Sequence, residues 1–269
     1  MPEITIPVVA GAMLAGFIQG LTGFAYGLVA MSVWVWVLDP QTAAALVVVG
    51  ALSGQVSTKL VERKRRSSPR LIPYLVGGGV GLAVGFTLLP FVSVTGFRLS
   101  VGIFLMVWCP IMLMWRRIPA VTASSRAADA LVGSLAGGMA AFGGLSGPLP
   151  VLWTSLQRLE KAVQREIVQE FNLLILAVTF VGYVATGQFR SEFFPIAGAV
   201  VPITLMATFL GRLAFSMISQ SLFRTILLLV LTGSGAAIVS STQASGMEPS
   251  PSAEYCVRRP CWIQTGTLR

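Results

Sequence analysis

Residues 4–38 read ITIPVVAGAMLAGFIQGLTGFAYGLVAMSVWVWVL and contain no Asp, Glu, Lys or Arg. An α-helix needs only about 20 apolar residues to cross a hydrocarbon core of about 30 Å, so this run is too long for one ordinary span. Gly16, Gly20, Gly23 and Gly27 interrupt it. The stretch is therefore read as two short helices meeting at a glycine-rich break inside a bilayer, and that reading sets the fold class for the rest of the chain.

Working outward, further charge-free runs cover residues 71–97, 99–115, 130–157, 171–189, 193–211 and 225–247. The chain has 269 residues, 55% hydrophobic and 11% charged, with a mean hydropathy of +0.80. Lipid must be the solvent for most of such a surface. Residues 46–49, LVVV, and 226–231, ILLLVL, do not alternate as the strands of a membrane barrel would. The expected fold is all-α: a polytopic membrane bundle of 8–10 segments. Helices are predicted at about 41–61, 71–92, 97–115, 162–186, 193–217 and 221–239. Met1-Pro2-Glu3 lacks the positive start of a secretory signal, so residue 4 onward is expected to be a retained membrane segment.

The second half repeats the first. Residues 130–157 form another glycine-interrupted run, and Gly27 and Gly147 stand 120 positions apart. Duplication with a broken helix in each copy is common among secondary transporters. If each break closes a hairpin that enters and leaves on one side, each copy crosses an odd number of times and the two are inverted. The expected organisation is a first membrane repeat over 1–116, a cytoplasmic linker at 117–128, a second repeat over 129–240 and a disordered tail over 241–269. Both termini then lie outside. Of the 19 basic residues only Arg98, Arg190, Arg258, Arg259 and Arg269 fall outside, as the positive-inside bias of an inner (plasma) membrane protein requires.

The net charge of +9 is accounted for by these short loops, so nucleic acid is not an expected partner. With no histidine and three cysteines, no zinc site of the usual kind, no Ser-His-Asp or Cys-His catalysis and no other cofactor is expected. Cys109 reads as apolar packing. Cys256 and Cys261 could form a disulfide if the tail is periplasmic.

Breaking a helix in lipid exposes backbone N–H and C=O groups that must meet protein or a polar cavity. The N-terminus of a half-helix offers free N–H groups at the positive end of its dipole, which suits an anion. Thr22, Gly23, Tyr26 and Gly27 at the first break, with Gly143, Gly144, Ser146 and Gly147 at the second, are the candidate substrate-binding residues. Pro148 suits the first turn of the second half-helix. Gln55, Gln169 and Asn172, on the helices that follow the breaks, add hydrogen-bonding side chains. Gly16, Gly133 and Gly137 read instead as packing glycines. Glu170 is the deepest acid in the chain, a candidate coupling group, with Arg165 and Glu166 expected to cap the inner end of its helix.

The segments Gly20-Leu21-Thr22-Gly23-Phe24-Ala25-Tyr26-Gly27-Leu28 and Phe142-Gly143-Gly144-Leu145-Ser146-Gly147-Pro148, each opening one half, resemble those of the sulfite exporter TauE/SafE family of permeases. The likeness covers residues 4–239. It implies transport of sulfite, a sulfonate or a similar organosulfur anion. Ala25 and Tyr26 depart from the family pattern, which often has glycines there, and Tyr26 is expected to reshape the first half-site. The partners so implied are a small anion and the lipid bilayer, with a homo-oligomer left open. An intramembrane enzyme would need converging His, acid or Cys residues, and a membrane scaffold would need long soluble segments; these are the alternatives to a permease.

Overall fold

The computed structural model describes residues 6–62, 69–114, 125–189, 191, 193–214, 228 and 231–240. Among them there are helices and no strands. In chain order they are α1 (Ile6–Thr22), α2 (Tyr26–Trp34), α3 (Pro40–Glu62), α4 (Leu71–Leu88), α5 (Val94–Met114), α6 (Arg126–Ala141), α7 (Pro148–Leu156), α8 (Lys161–Ala185) and α9 (Phe193–Ala214). The last described helix is α10, Leu231–Ser240. Five of these, α3, α4, α5, α8 and α9, contain stretches long and apolar enough to cross a bilayer. The chain is a multi-pass membrane protein. The tail beyond residue 240, with Cys256 and Cys261, lies outside the described residues, as does most of the linker at 117–128.

Both long glycine-rich runs break into a longer and a shorter helix, α1/α2 and α6/α7. The second begins earlier than the charge-free run does, because Ser125 caps α6 by accepting from the Ala128 N–H at 3.1 Å. Each broken pair folds back on itself. The Trp34 indole at the end of α2 donates to the Val8 carbonyl near the start of α1, at 3.2 Å. The Trp153 indole near the end of α7 donates to Asp129 in the first turn of α6, at 2.7 Å. An exiting half-helix tied to the start of the entering one makes each pair a helical hairpin.

Hairpin one lies along the second half's α9, and hairpin two along the first half's α4. Both seams are built from small residues. A methyl group on Gly77 or Gly81 of α4 would overlap the Ala130 or Ser134 backbone of α6, and one on Gly133 or Gly137 would overlap the Tyr74 or Gly78 backbone. On the other seam, Gly20 meets the Thr208 carbonyl and Gly211 meets the Phe17 carbonyl. Gly16 packs on Thr204 and Ala207. In lipid, apolar burial does not distinguish helix–helix from helix–lipid contact, so close backbone approach supplies the cohesion. The opposite face of α4 shows the complement: Val76, Val80 and Val84 are 62%, 59% and 52% exposed, where acyl chains would lie.

α3 and α8 pack together between these seams. α5 and α10 close against each other where Gly102 meets Gly235, Ile238 and Val239. Pro110 in α5 and Pro202 in α9 sit inside their helices.

Candidate functional site

The first break occupies Gly23, Phe24 and Ala25 between α1 and α2. Gly23 has φ +86°, in the left-handed region that costs any other L-residue roughly 1–2 kcal/mol. Thr22 stabilises the turn on both sides. Its hydroxyl donates to the Ile18 carbonyl at 2.8 Å and accepts from the Ala25 N–H at 3.3 Å. Gln55 on α3 donates its side-chain N–H to the Gly23 carbonyl at 2.6 Å, satisfying an acceptor that the break would otherwise leave bare in the membrane. Gln169 on α8 lies on the other side of Gly23, and a methyl group there would sit 3.2 Å from its amide nitrogen. That Gln169 nitrogen is buried and has no hydrogen-bond partner among the described residues.

The second break runs from Phe142 to Gly147. Gly144 has φ +67° and packs against Val47 and Val48 of α3 and Leu176 of α8. Ser146, fully buried, donates to the side-chain oxygen of Asn172 on α8. Gly147 caps α7, and Pro148 takes the first helical position as its fixed φ and missing N–H favour.

The two breaks touch. A methyl group on Gly27 would lie 3.3 Å from the Gly144 carbonyl oxygen, and one on Gly147 would lie 3.3 Å from the Phe24 carbonyl oxygen. Around this contact the backbone is short of partners. Among the described residues nothing accepts from the N–H groups of Tyr26, Gly27 and Leu28 at the start of α2, nor from those of Leu145, Ser146, Gly147 and Leu149 at the start of α7. A second proline, Pro150, removes one more donor from α7. These amides belong to buried or half-buried residues. An unpaired buried amide costs about 1–3 kcal/mol. The cluster of free donors, with the Gln169 amide beside it, is a feature that a negative solute would relieve.

Not every side chain chosen from the sequence points into this space. Tyr26 is fully buried. Its hydroxyl shares a 3.0 Å hydrogen bond with Thr204 of α9 and fills the gap left by Gly50, so it holds hairpin one against α9 and α3 and leaves only its amide at the break. Glu170 forms an ion pair with Lys59 of α3. Gln19 donates to the Ala51 carbonyl at 2.8 Å, while its own side-chain oxygen is buried without a partner among the described residues. Asp129 carried no signal in the sequence beyond being an acid next to an apolar run. It accepts from the Tyr74 hydroxyl at 3.0 Å, the Trp153 indole and the Gln157 amide at 2.9 Å. That cluster belongs to the base of hairpin two, away from the breaks. Among the described residues no group of three or more His, Cys, Asp or Glu side chains could hold a metal.

The family model described as sulfite exporter TauE/SafE matches residues 8–238, from the first turn of α1 into the last turn of α10. The chain belongs to this family. TauE/SafE proteins are membrane transporters of sulfite and related sulfur anions, and the match includes both breaks and every helix packed around them. No curated protein and no solved structure matches the chain.

Proposed function

We propose that the chain is a permease for a small anion, sulfite or an organosulfonate, and that the anion binds where the two helix breaks meet. The observation that carries this reading is the set of free amides at the starts of α2 and α7, both buried and in contact through Gly27 and Gly147. A sulfur oxyanion has three oxygens that accept hydrogen bonds, and half-helix N-termini are suited to such a charge. Thr22, Gly23, Gln55 and Gln169 shape the first half-site. Gly143, Gly144, Ser146 and Asn172 shape the second.

Transport would proceed by alternating access between two inverted repeats, 1–116 and 129–240, joined by a cytoplasmic linker. Exchanging each helix of the first half for its counterpart in the second turns the α1–α9 packing into α6–α4, the α3–α9 packing into α8–α4, and α3–α8 into itself. A twofold relation of this kind supports the reading, and each hairpin plus three spans gives the odd count that inverts one copy relative to the other. The inner membrane location and the inside position of the basic loops follow from the same arrangement.

Reconstitution into liposomes with labelled sulfite and methanesulfonate tests the proposal. Flux of either, abolished by Gly27→Val in protein that still inserts, is the expected result. Correctly inserted protein that moves neither anion contradicts it.

A further inference from the structure

The amides at the breaks supply dipoles but no full positive charge, and Lys59, a cation on the helix that supports the first break, is already paired. Lys59 lies on α3 one helical turn beyond Gln55, about 6 Å along the axis and on the same face. Gln55 holds the Gly23 carbonyl. Across from it on α8, Glu170 follows Gln169, whose amide nitrogen, unpartnered among the described residues, sits against Gly23. Lys59 and Glu170 therefore meet beside the first break, and their ion pair joins the two helices that pack between the seams. Their side chains are 40% and 19% exposed, so the ammonium is the more accessible partner and the carboxylate the more enclosed one.

Resting on the anion-permease reading, we infer that Lys59 is the cationic anchor of the transported anion and that Glu170 is its placeholder, occupying the ammonium until the anion displaces it. A fixed carboxylate one turn from an anion site opposes binding unless it is neutralised, and pairing with Lys59 does this in the resting protein. When the anion takes the ammonium, Gln169 and the free amides of α2 complete its shell. Glu170 is then released toward the partly exposed side of the pair. The role differs from that of a strut. A strut would make both partners necessary in the same sense, whereas a placeholder competes with the substrate.

Binding of sulfite and of methanesulfonate to the full-length protein in detergent, followed by intrinsic tryptophan fluorescence, separates the two. Methanesulfonate serves because its charge is constant between about pH 5 and 8. Lys59→Gln should weaken binding roughly tenfold or more, the size expected for losing a hydrogen bond to a charged partner. Glu170→Gln should tighten it several-fold, and the double variant, which lacks the anchor and the opposing carboxylate alike, should bind more weakly than wild type but less weakly than Lys59→Gln. Lys59→Arg, which keeps both charge and pairing, should stay within a few-fold of wild type. If Lys59→Gln does not fold, Lys59→Arg and Glu170→Gln still decide, because a strut makes Glu170→Gln bind more weakly whereas a placeholder makes it bind more tightly. Binding unchanged in both single variants, or weakened by Glu170→Gln, overturns the inference and leaves the permease reading standing. Wild-type protein that binds neither anion overturns both.

Discussion

Gly23, Gly144 and Gln55 carry the chemistry of the breaks at the scale of single residues. Gly144→Ala forces a side chain onto φ +67° and into Val47, 3.1 Å away. The expected loss is about 1–2 kcal/mol of stability, seen as a lower melting temperature in detergent, together with loss of transport. Gln55→Leu is nearly the same size but leaves the buried Gly23 carbonyl without a donor. It should cost about 1–3 kcal/mol and reduce flux more than it reduces the amount of folded protein. Gln55→Glu should leave even less flux, since it sets a negative charge against an anion site. The glycine clusters were visible in the sequence because a 35-residue charge-free run has to turn somewhere. The partner of Gly23 was not, since a glutamine on a membrane helix reads equally well as glue between helices. Tyr26 shows the same limit from the other side: its position beside Gly27 suggested a site residue, and only the packing against Gly50 and Thr204 shows where the ring goes.

Helices hold each other here by shape. On α4 the glycine row faces α6 and the valine row faces outward, one residue apart in sequence. Gly81→Leu should therefore prevent assembly, measured as loss of the monodisperse peak in size-exclusion chromatography, while Val80→Leu beside it should be close to neutral. At the base of hairpin two, Asp129→Ala strips the acceptor from Tyr74, Trp153 and Gln157 together. Asp129→Asn keeps one oxygen and should retain more folded protein than the alanine variant. The spans were legible from hydropathy: α3, α4, α5, α8 and α9 start within about three residues of the starts read from the runs. Which helix lies on which was not, because small-residue patterns such as Gly77-xxx-Gly81 state that a helix is approached closely and not by whom. The pairing of Glu170 with Lys59, more than 100 positions away in the chain, belongs to the same category. Neighbouring Arg165 was the only cation that sequence proximity could offer.

At the scale of the whole molecule, two hairpins from opposite halves are set tip to tip and gripped by the long helices of the other half. Such an arrangement has a consequence for topology. With Cys109 buried and Cys256 and Cys261 replaced, cysteines introduced at Arg70 and Arg158 should react with a membrane-impermeant thiol reagent only from the cytoplasmic side. Those introduced at Ser93 and Gly187 should react only from the outside. Labelling of Arg158→Cys and Gly187→Cys from the same side would rule out inverted repeats. The central claim is that amides at both breaks bind one anion together, and hydrogen–deuterium exchange reads those amides directly. Saturating sulfite or methanesulfonate should slow exchange in peptides covering residues 23–28 and 142–149 in parallel, with the same concentration dependence. Protein that transports the anion while neither peptide, or only one of them, gains protection would contradict the account.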